Sequence, residues 1–500
     1  MSAGGSTQRA SAVGTWASAS RTRVAPFLLL ASVEVALAWT LVRGDPLEAG
    51  HWSFPVVFGL WGAVFAVAVV GALRLPRRGA VGLILAASIA LRLAALAGPP
   101  SSSDDLYRYS WDGRVQAAGI DPYAEPPAAA QLAGLRESWL WPDAADCAAL
   151  GRRAGCTRIN RPRDLTIYPP FAEAYFDAVY RLAGIGARYK PWQVGGLLTE
   201  TATLGLLVVA LRRWRRDPRW VALYGLCPAP VVEIVNNGHV DGLAIPLIVA
   251  ALIVLAPRPR GGRYGAALSW RDVAAAALIG AAALVKLYPA ALLLPLVACR
   301  RGRRIWALAA TGATVAALAA VAYAPHVARV GAKVLGYLPG YLLEENYRSG
   351  GRFLIANVMH VPHAWAGLVS VLAVALVAGW MVLRRPSLTT ASAAMLAALL
   401  LASSPAQTWY AISLLAVVTV SVEPCLLAVL AGGYVASFST ALDRANSARI
   451  GGWGYAAALA VIIVVAALHR RANQPAEDRL APTRTGSFPP RQTVDAVRRG

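Results

Sequence analysis

The chain has 500 residues, of which 57% are hydrophobic and only 15% are charged. Soluble domains carry about 25% charged residues, so this composition excludes an ordinary soluble protein. The formal net charge of +22 is compatible with nucleic-acid binding, but the arginines stand in short clusters between apolar runs. Such clusters are typical of the cytoplasmic loops of membrane proteins, so no nucleic-acid partner is expected.

Near-continuous apolar runs recur along the chain, and most approach the ~20 residues that cross a bilayer. Backbone polar groups in lipid must be satisfied within the chain, so the runs are predicted to be helices. We expect an all-α polytopic bundle of about 11 to 13 spans. The clearest runs are residues 24–41, 54–73, 80–97, 195–211, 307–322, 365–382 and 455–468.

The two ends of the chain are polar. Residues 1–20 are predicted to be a disordered cytoplasmic leader and not a cleaved signal peptide, because the first apolar run is long enough to remain as a span. Residues 470–500 are rich in Arg and Pro and are predicted to be a disordered cytoplasmic tail. Residues 21–469 then form one transmembrane domain.

The basic clusters also predict the orientation of the chain. With a cytoplasmic N-terminus, the third span carries the chain outward, and residues 98–192 form a large extracytoplasmic loop with short interfacial helices. Loops of this length in compact domains are usually functional. Within the loop, Cys147 and Cys156 are compatible with either a disulfide or two free thiols.

Residues 169–182 do not fit a simple span. Their polar side chains Glu173, Asp177 and Arg181 recur every four residues, which places them on one face of a helix. An interfacial or re-entrant helix is therefore predicted here.

Two adjacent carboxylates, Asp104 and Asp105, follow the third span. Ser103 can cap the next helix and acids suit a helix N-terminus, so a structural role is one interpretation. The aromatic and basic residues that follow instead favour a sugar-binding site, where an Asp acts as general base and Arg108 and Arg114 hold a phosphate. These residues are Tyr107, Arg108, Tyr109, Trp111, Asp112 and Arg114.

Two further segments, residues 158–162 and 166–170, return the chain to the membrane. We interpret them mainly as structural, with Tyr168 as a candidate for substrate binding.

A second polar cluster lies between two apolar segments. Polar groups at such positions are costly unless they are buried in protein or line a wet cavity. A lone histidine is usually structural, but five polar residues together favour a site. They are Glu233, Asn236, Asn237, His239 and Asp241.

Lys286 is isolated between residues 273–285 and 290–298, which are short for spans and are predicted to form a broken hairpin. A lysine inside a membrane segment is a functional hypothesis by default, here the neutralisation of a lipid phosphate. Snorkelling to the interface is the alternative. Tyr288 accompanies it.

Two later loops carry the remaining candidates. Residues 344–353 include Arg348, and residues 403–410 include Gln407 and Trp409. Trp409 also suits an interfacial aromatic. No glycine-rich nucleotide motif and no Cys/His zinc spacing is found, which argues against an ATP-driven pump, so no nucleotide cofactor is expected.

Residues 105–114 and 119–123 resemble bacterial GT-C glycosyltransferases, above all the polyprenol-phosphate-mannose-dependent α-mannosyltransferases of actinobacterial envelopes. Segments 160–162, 167–170, 237–241 and 285–289 occur in the same order as in that group. The resemblance extends over residues 80–410. It implies a lipid-phosphate sugar donor, an acceptor hydroxyl and no general need for a metal.

The resemblance also implies that an Asp of the first large outer loop is the base, a position that Asp105 matches with Asp104 beside it. The remaining candidates would bind the donor phosphate or the substrate. They are Arg108, Tyr109, Asp112, Arg114, Tyr168, Asn237, His239, Asp241, Lys286, Tyr288, Arg348, Gln407 and Trp409. Gln407 departs from the His-Pro-Trp-Tyr sequence frequent in relatives, so no acid or phosphate-binding role can be transferred to it.

We therefore expect an inverting transfer of a sugar, with mannose favoured, from a polyprenyl-phosphate donor to a lipid-linked or envelope glycan at the outer face of the plasma membrane. The expected partners are the donor, a glycan or glycolipid acceptor and membrane lipids. Two alternatives remain: a flippase or transporter of polyprenyl-linked sugars, which broken helices favour, and a catalytically silent relative, to which Gln407 points.

Overall fold

The computed structural model describes residues 6–48, 50–257, 268–300, 302 and 304–472, with the backbone alone for residues 6–21. Every regular element in this part of the chain is a helix. This confirms the prediction of an all-α polytopic membrane protein. The backbone is helical from Ser6, inside the predicted leader. Residues 473–500 of the predicted tail lie outside the described residues.

Helices of very different length alternate in the first half of the chain. A single π-helical turn, Val231–Asn236, separates α9 from α10. The helices are α1 (Ser6–Arg43), α2 (Ser53–Arg74), α3 (Ala80–Ala95), α4 (Asp105–Ala117), α5 (Ala144–Ala149), α6 (Pro170–Ala183), α7 (Lys190–Arg213), α8 (Ala222–Gly225), α9 (Pro228–Pro230) and α10 (Asp241–Leu255).

The second half has the same mixture, and a 3₁₀ turn, Tyr288–Leu292, leads into α12. The helices are α11 (Trp270–Ala283), α12 (Leu293–Ala298), α13 (Arg304–Val330), α14 (Leu338–Glu344), α15 (Leu354–Val358), α16 (His363–Arg384), α17 (Leu388–Ser403), α18 (Tyr410–Ser421), α19 (Leu427–Leu442) and α20 (Ser447–Ala472).

Among the described residues, seven helical segments are long and apolar enough to cross a bilayer: those containing α1, α2, α7, α13, α16, α19 and α20. Five shorter apolar helices accompany them, including α3, α10, α17 and α18. The predicted total of about 11 to 13 spans stays a prediction, since it requires most of the shorter helices to cross as well.

The interruption predicted at Lys286 is confirmed. Helix α11 ends at Ala283, and regular structure resumes with the 3₁₀ turn at Tyr288. Lys286 therefore lies in the irregular stretch between two short apolar helices.

Helix α6 packs on α4 and is not one of the segments apolar enough to span. The three polar residues that recur every four positions in α6 differ in their exposure. Asp177 and Arg181 form an exposed ion pair of 2.7 Å, but Glu173 is fully buried. Its carboxylate accepts hydrogen bonds from Thr166 at 2.6 Å and Gln116 at 2.9 Å, which offset the cost of burial.

Within the loop of residues 98–192, which is called the outer loop after its predicted location, Cys147 and Cys156 form a disulfide. The disulfide decides between the two sequence-based alternatives. A small apolar cluster beside it packs the loop against α4. It consists of Trp111, Val115, Leu132, Leu140 and Ile159.

A buried ion pair connects helices α3 and α7. Arg92 of α3 donates to Glu200 of α7 at 2.7 and 3.1 Å, and both side chains are fully buried. Arg92 also donates to the Gly225 carbonyl at 2.8 Å, and Tyr224 donates to Glu200 at 2.6 Å. Three separate stretches are thereby held together below the loop that carries the paired carboxylates.

Gly113 sets the distance between α4 and α6. A Cβ atom at this position would lie 2.4 Å from the Phe176 carbonyl oxygen, which belongs to the facing helix and cannot move alone. We expect Gly113→Ala to destabilise the protein by about 1–3 kcal/mol through overpacking, seen as a lower Tm in detergent.

Gly205→Ala is the matched control, because nothing lies within 4 Å of the added methyl group on α7. It should leave the Tm unchanged or slightly raised. Equal Tm values for the two variants would contradict the close contact between α4 and α6.

Candidate active site

The loop between α3 and α4 is held by two asparagines, Asn236 at the end of the π-helical turn and Asn237 directly after it. The Asn236 and Asn237 side-chain oxygens each accept the Ser101 backbone N–H at 3.0 Å. Their amide groups donate in turn to the Pro99 carbonyl at 2.9 Å and to Ser102 Oγ at 2.6 Å. This loop therefore enters α4 in one defined conformation.

Asp104 and Asp105 stand at the N-terminus of α4. Asn160, from the distant end of the outer loop, donates its side-chain amide to Asp104 Oδ1 at 2.9 Å and to Asp105 Oδ1 at 2.7 Å. Asp104 lines a cavity and is partly exposed to solvent, but the surrounding protein desolvates its carboxylate. This desolvation and the adjacent charge of Asp105 raise the pKa of Asp104.

His239 lies behind the pair and is fully buried. Its Nδ1 must donate to the Glu233 carbonyl, 2.8 Å away, because a carbonyl oxygen only accepts. Burial lowers the pKa of His239 to about 4, so the ring is neutral at pH 7. Its Nε2 then accepts from Ser103 Oγ at 2.9 Å and lies 3.9 Å from Asp105.

The Glu233 carboxylate is the centre of a buried hydrogen-bond network, which is called the Glu233 hub. It accepts hydrogen bonds from Thr408 at 2.7 Å, from Tyr434 at 3.0 Å and from Asn237 at 3.0 Å. These partners come from three different stretches, so one buried acid connects the π-helical turn, the start of α18 and α19. The His239 ring also stacks on Trp409, with centroids 3.9 Å apart.

Lys286 presents an ammonium group with few partners. Its nearest carboxylate in the described residues is Asp241, whose Oδ2 lies 3.7 Å from Nζ, beyond hydrogen-bonding distance. The ammonium lies 4.8 Å from the Tyr168 ring centroid and 5.5 Å from that of Tyr410. Cation–π attraction holds the group in place and leaves its donors free for an anion.

Asp104, Asp105, Asn160 and Lys286 line one cavity of about 420 Å³. Polar side chains line it together with aromatic and aliphatic ones, the composition usual for small-molecule sites. The lining residues are Ser102, Ser103, Asp104, Asp105, Arg108, Asn160, Arg161, Leu165, Ile167, Tyr168, Pro169, Lys286, Leu287, Tyr288, Tyr337, Leu338, Tyr341, Leu342, Gln407, Trp409 and Tyr410.

Eight of the predicted site residues therefore line the cavity: Asp104, Asp105, Arg108, Tyr168, Lys286, Tyr288, Gln407 and Trp409. Arg108 is largely committed, since its Nε donates to both oxygens of Asp112 at 2.9 Å and its Nη1 donates to the Asp164 carbonyl at 3.1 Å. Gln407 donates to Glu345 at 2.8 Å.

Five other candidates do not line the cavity but lie in the protein behind its lining residues. Asn237 and His239 fix the loop before α4, Asp241 faces Lys286, and Asp112 orients Arg108. Tyr109 is buried and stacks on Phe176, with centroids 4.4 Å apart.

The structure does not bring Arg114 or Arg348 to the cavity. The Arg114 guanidinium pairs with Glu137 at 2.8 Å and donates to the Leu135 carbonyl on another side of α4. Arg348 is exposed outside the lining. The predicted phosphate-binding role therefore has no geometric support for either residue.

Sequence reasoning missed Asn160, Arg161, Tyr337, Tyr341 and Tyr410 as lining residues. Asn160 stands in a segment whose sequence indicates mainly a structural role. Its one sequence signal was the position of residues 160–162 in the ordered series of motifs.

No group of three or more His, Cys, Asp or Glu side chains in the described part of the chain is arranged to hold a metal ion. The cavity instead contains carboxylates, hydroxyls, aromatic rings and the ammonium group of Lys286, which has no carboxylate within hydrogen-bonding distance among the described residues. Such a set can bind a polar ligand that carries an anionic group.

Comparison with known proteins gives one match. Residues 166–405, slightly less than half of the chain, match the family model of glycosyltransferase family 87, a GT-C-type family. No curated protein and no solved structure matches. Together with the apolar helices, the family match indicates a membrane glycosyltransferase. The matched region contains the Glu233 hub and Lys286 but begins after the paired carboxylates.

The Glu233 hub yields a stability prediction. Glu233→Gln keeps the shape of the side chain but replaces one acceptor oxygen by an NH₂ group that faces donors. We expect a loss of about 1–3 kcal/mol, the cost of leaving buried polar groups unpaired, measured as a lower Tm.

Glu48→Gln makes the same exchange at an exposed position and should leave the Tm unchanged. A wild-type Tm for Glu233→Gln would show that the hub does not hold these segments together.

Proposed function

We propose that this glycosyltransferase moves a sugar, with mannose as the first candidate, from a polyprenyl-phosphate donor to a hydroxyl of a lipid-linked or envelope glycan, with inversion and at the outer face of the plasma membrane. The supporting observation is that one cavity contains both the paired carboxylates and the lightly paired ammonium group of Lys286. The proposed reaction needs a base, which a carboxylate can supply. It also releases an anionic leaving group, which the ammonium group can stabilise.

Asp105 is the proposed base. It stands at the cavity wall, and its Oδ1 is held by Asn160, which leaves Oδ2 to receive a proton. A general base must reach the proton that it removes, and a hydroxyl bound in this cavity can approach Oδ2. Asp104, with its raised pKa, remains the secondary candidate.

Lys286 is the proposed phosphate-binding group. The phosphate gains negative charge as its bond to the sugar breaks, and an ammonium group in a partly desolvated site stabilises that charge. Arg108 and Arg161 also line the cavity, but both guanidinium groups already bind carboxylates, Asp112 and Glu344 respectively.

The proposed transfer forms one bond and breaks one bond at the anomeric carbon, and it needs no further reactant. The acceptor oxygen forms a bond to the anomeric carbon while its proton passes to Asp105. The bond between that carbon and the phosphate oxygen breaks, and the electron pair leaves with the polyprenyl phosphate near Lys286. A single displacement of this kind inverts the anomeric configuration.

Aromatic and apolar lining fits both ends of the proposed donor. Tyr168, Tyr288 and Tyr410 offer rings for a sugar face, while Leu287, Leu338 and Leu342 offer aliphatic surface. Leu287 and Leu342 are also exposed, so the cavity is continuous with an apolar rim that suits a lipid chain.

The base assignment is tested with Asp105→Asn. We expect transfer from polyprenyl-phosphate mannose to a lipid acceptor extract to fall by about 10²–10⁴-fold, the contribution typical of a general base. Asp104→Asn should cost less. The measurement is single-turnover formation of glycolipid by purified protein in lipid nanodiscs.

Asp177→Asn is the control, because it makes the same change at a partly exposed carboxylate of α6 outside the cavity lining. Wild-type transfer by both cavity variants would remove the base assignment. If wild-type protein transfers nothing but moves the donor across a vesicle membrane without an acceptor, the transporter alternative is correct.

The phosphate assignment is tested with Lys286→Met, which keeps the aliphatic stem and removes the charge. We expect kcat/KM for the donor to fall by about 100-fold, as for loss of one stabilising group at a developing anion. Lys286→Arg should retain more activity than Lys286→Met.

Lys286→Met also leaves Asp241 buried without its neighbouring charge, which can lower stability. The double variant Lys286→Met/Asp241→Asn removes both charges, so it separates folding from catalysis. Lys333→Met removes an exposed lysine and serves as control. Undiminished kcat/KM in a folded Lys286→Met protein would contradict the assignment.

A further inference from the structure

Asn160 makes an unusual pair of contacts. Its single amide nitrogen donates to one oxygen of Asp104 and to one oxygen of Asp105, at 2.9 and 2.7 Å. A primary amide has two hydrogens, so one serves each carboxylate. The amide orientation is fixed by these partners, because the side-chain oxygen cannot donate to an acid.

Asn160 is itself held on both sides along the chain. Ile159 is buried in the small apolar cluster of the outer loop. Arg161 forms a two-pronged ion pair with Glu344 of α14, at 2.7 and 2.8 Å. The amide is therefore fixed in place before any ligand binds, which is what a group that orients another requires.

We propose that Asn160 is a positioning residue for the carboxylate pair: it holds Asp105 in one orientation for removal of the acceptor proton. The inference rests on the proposed function, since it assumes that Asp105 is the base. Asn160 occupies Oδ1 and leaves Oδ2 to take the proton.

The benefit of a shared hydrogen-bond donor follows from the repulsion between the two carboxylates. Two adjacent carboxylates repel one another, which disfavours double ionisation. A donor shared between them lowers the free energy of the charged forms of both. Without the amide, the pair should hold a proton up to a higher pH, and the base would be blocked.

Other ionisable groups face the pair and are left intact in the test. His239 approaches Asp105 from the loop before α10, and Arg161 approaches both acids from the outer loop. The remaining groups are Tyr107 and Tyr109 of α4, Tyr168 of the outer loop, Asp241 of α10 and Tyr410 of α18.

The test compares Asn160→Ala with Asn160→Asp across a pH series of single-turnover transfer from polyprenyl-phosphate mannose. For Asn160→Ala we expect a rate loss of about 100-fold at pH 7, as for a misplaced catalytic group. The acid limb of the profile should move up by roughly one pH unit, because hydrogen bonds to a carboxylate lower its pKa. KM for the donor should change little.

Asn160→Asp keeps the size of the side chain, so it distinguishes packing from electrostatics. It adds a third acid to the pair and should therefore shift the acid limb further than Asn160→Ala. If Asn160 serves only to pack the loop, Asn160→Ala should lower the rate without moving the acid limb of its profile. That result would overturn the proposal.

Asn446→Ala is the matched control, since it removes an amide–carboxylate hydrogen bond of 2.9 Å, to Asp443, outside the cavity lining. Its pH profile should equal that of the wild type. Failure of this inference differs from failure of the proposed function. Unmoved Asn160 profiles with an inactive Asp105→Asn refute the positioning role alone, whereas a wild-type protein without transfer refutes the function.

Discussion

The site depends on the burial of one acid. Glu233 lies in the protein interior, where an unpaired carboxylate costs far more free energy than a surface one. Its oxygens must therefore be satisfied by the protein, and Thr408, Asn237 and Tyr434 do so from three stretches of chain. Its backbone carbonyl also fixes the tautomer of His239. Through His239 and Asn237, the same residue determines where the loop that carries Asp104 and Asp105 can lie.

The cavity forms where helices are interrupted. The chain leaves regular helix between Asn236 and Asp241 and again between Ala283 and Tyr288. Backbone groups at such breaks need partners, so irregular segments inside a membrane protein are found where protein or a wet cavity surrounds them. The polar side chains of Asn237, His239 and Lys286 stand at these two breaks. The features that interrupt the helices are thus the ones that supply the chemistry.

Much of the architecture could be predicted from sequence, because the length of an apolar run depends on the bilayer and not on tertiary contacts. The break at Lys286 was predictable for the same reason. The place of Asn160 in the cavity was not, because it results from contact with residues 55 and 56 positions earlier in the chain. No periodicity or spacing reports such a contact.

The assignment of Arg114 shows a different limit. Nine residues separate it from Asp105, about two and a half turns of α-helix, so the two side chains point to opposite sides. Helical geometry alone therefore places Arg114 on another side of α4 from Asp105. The buried position of Glu173 could not be found in this way, since its spacing matched Asp177 and Arg181 and only the packing of α6 on α4 separates their environments.

One peptide unit joins the carboxylate pair to the rim of the cavity. Asn160 binds the pair and its neighbour Arg161 binds Glu344 of α14, whose Leu338 and Leu342 form part of the apolar lining. While both contacts persist, a displacement of α14 away from the cavity must pull on the segment that holds Asp105. Widening of the rim and alignment of the carboxylates are therefore mechanically linked, so a ligand that spreads the rim also acts on the geometry of the pair.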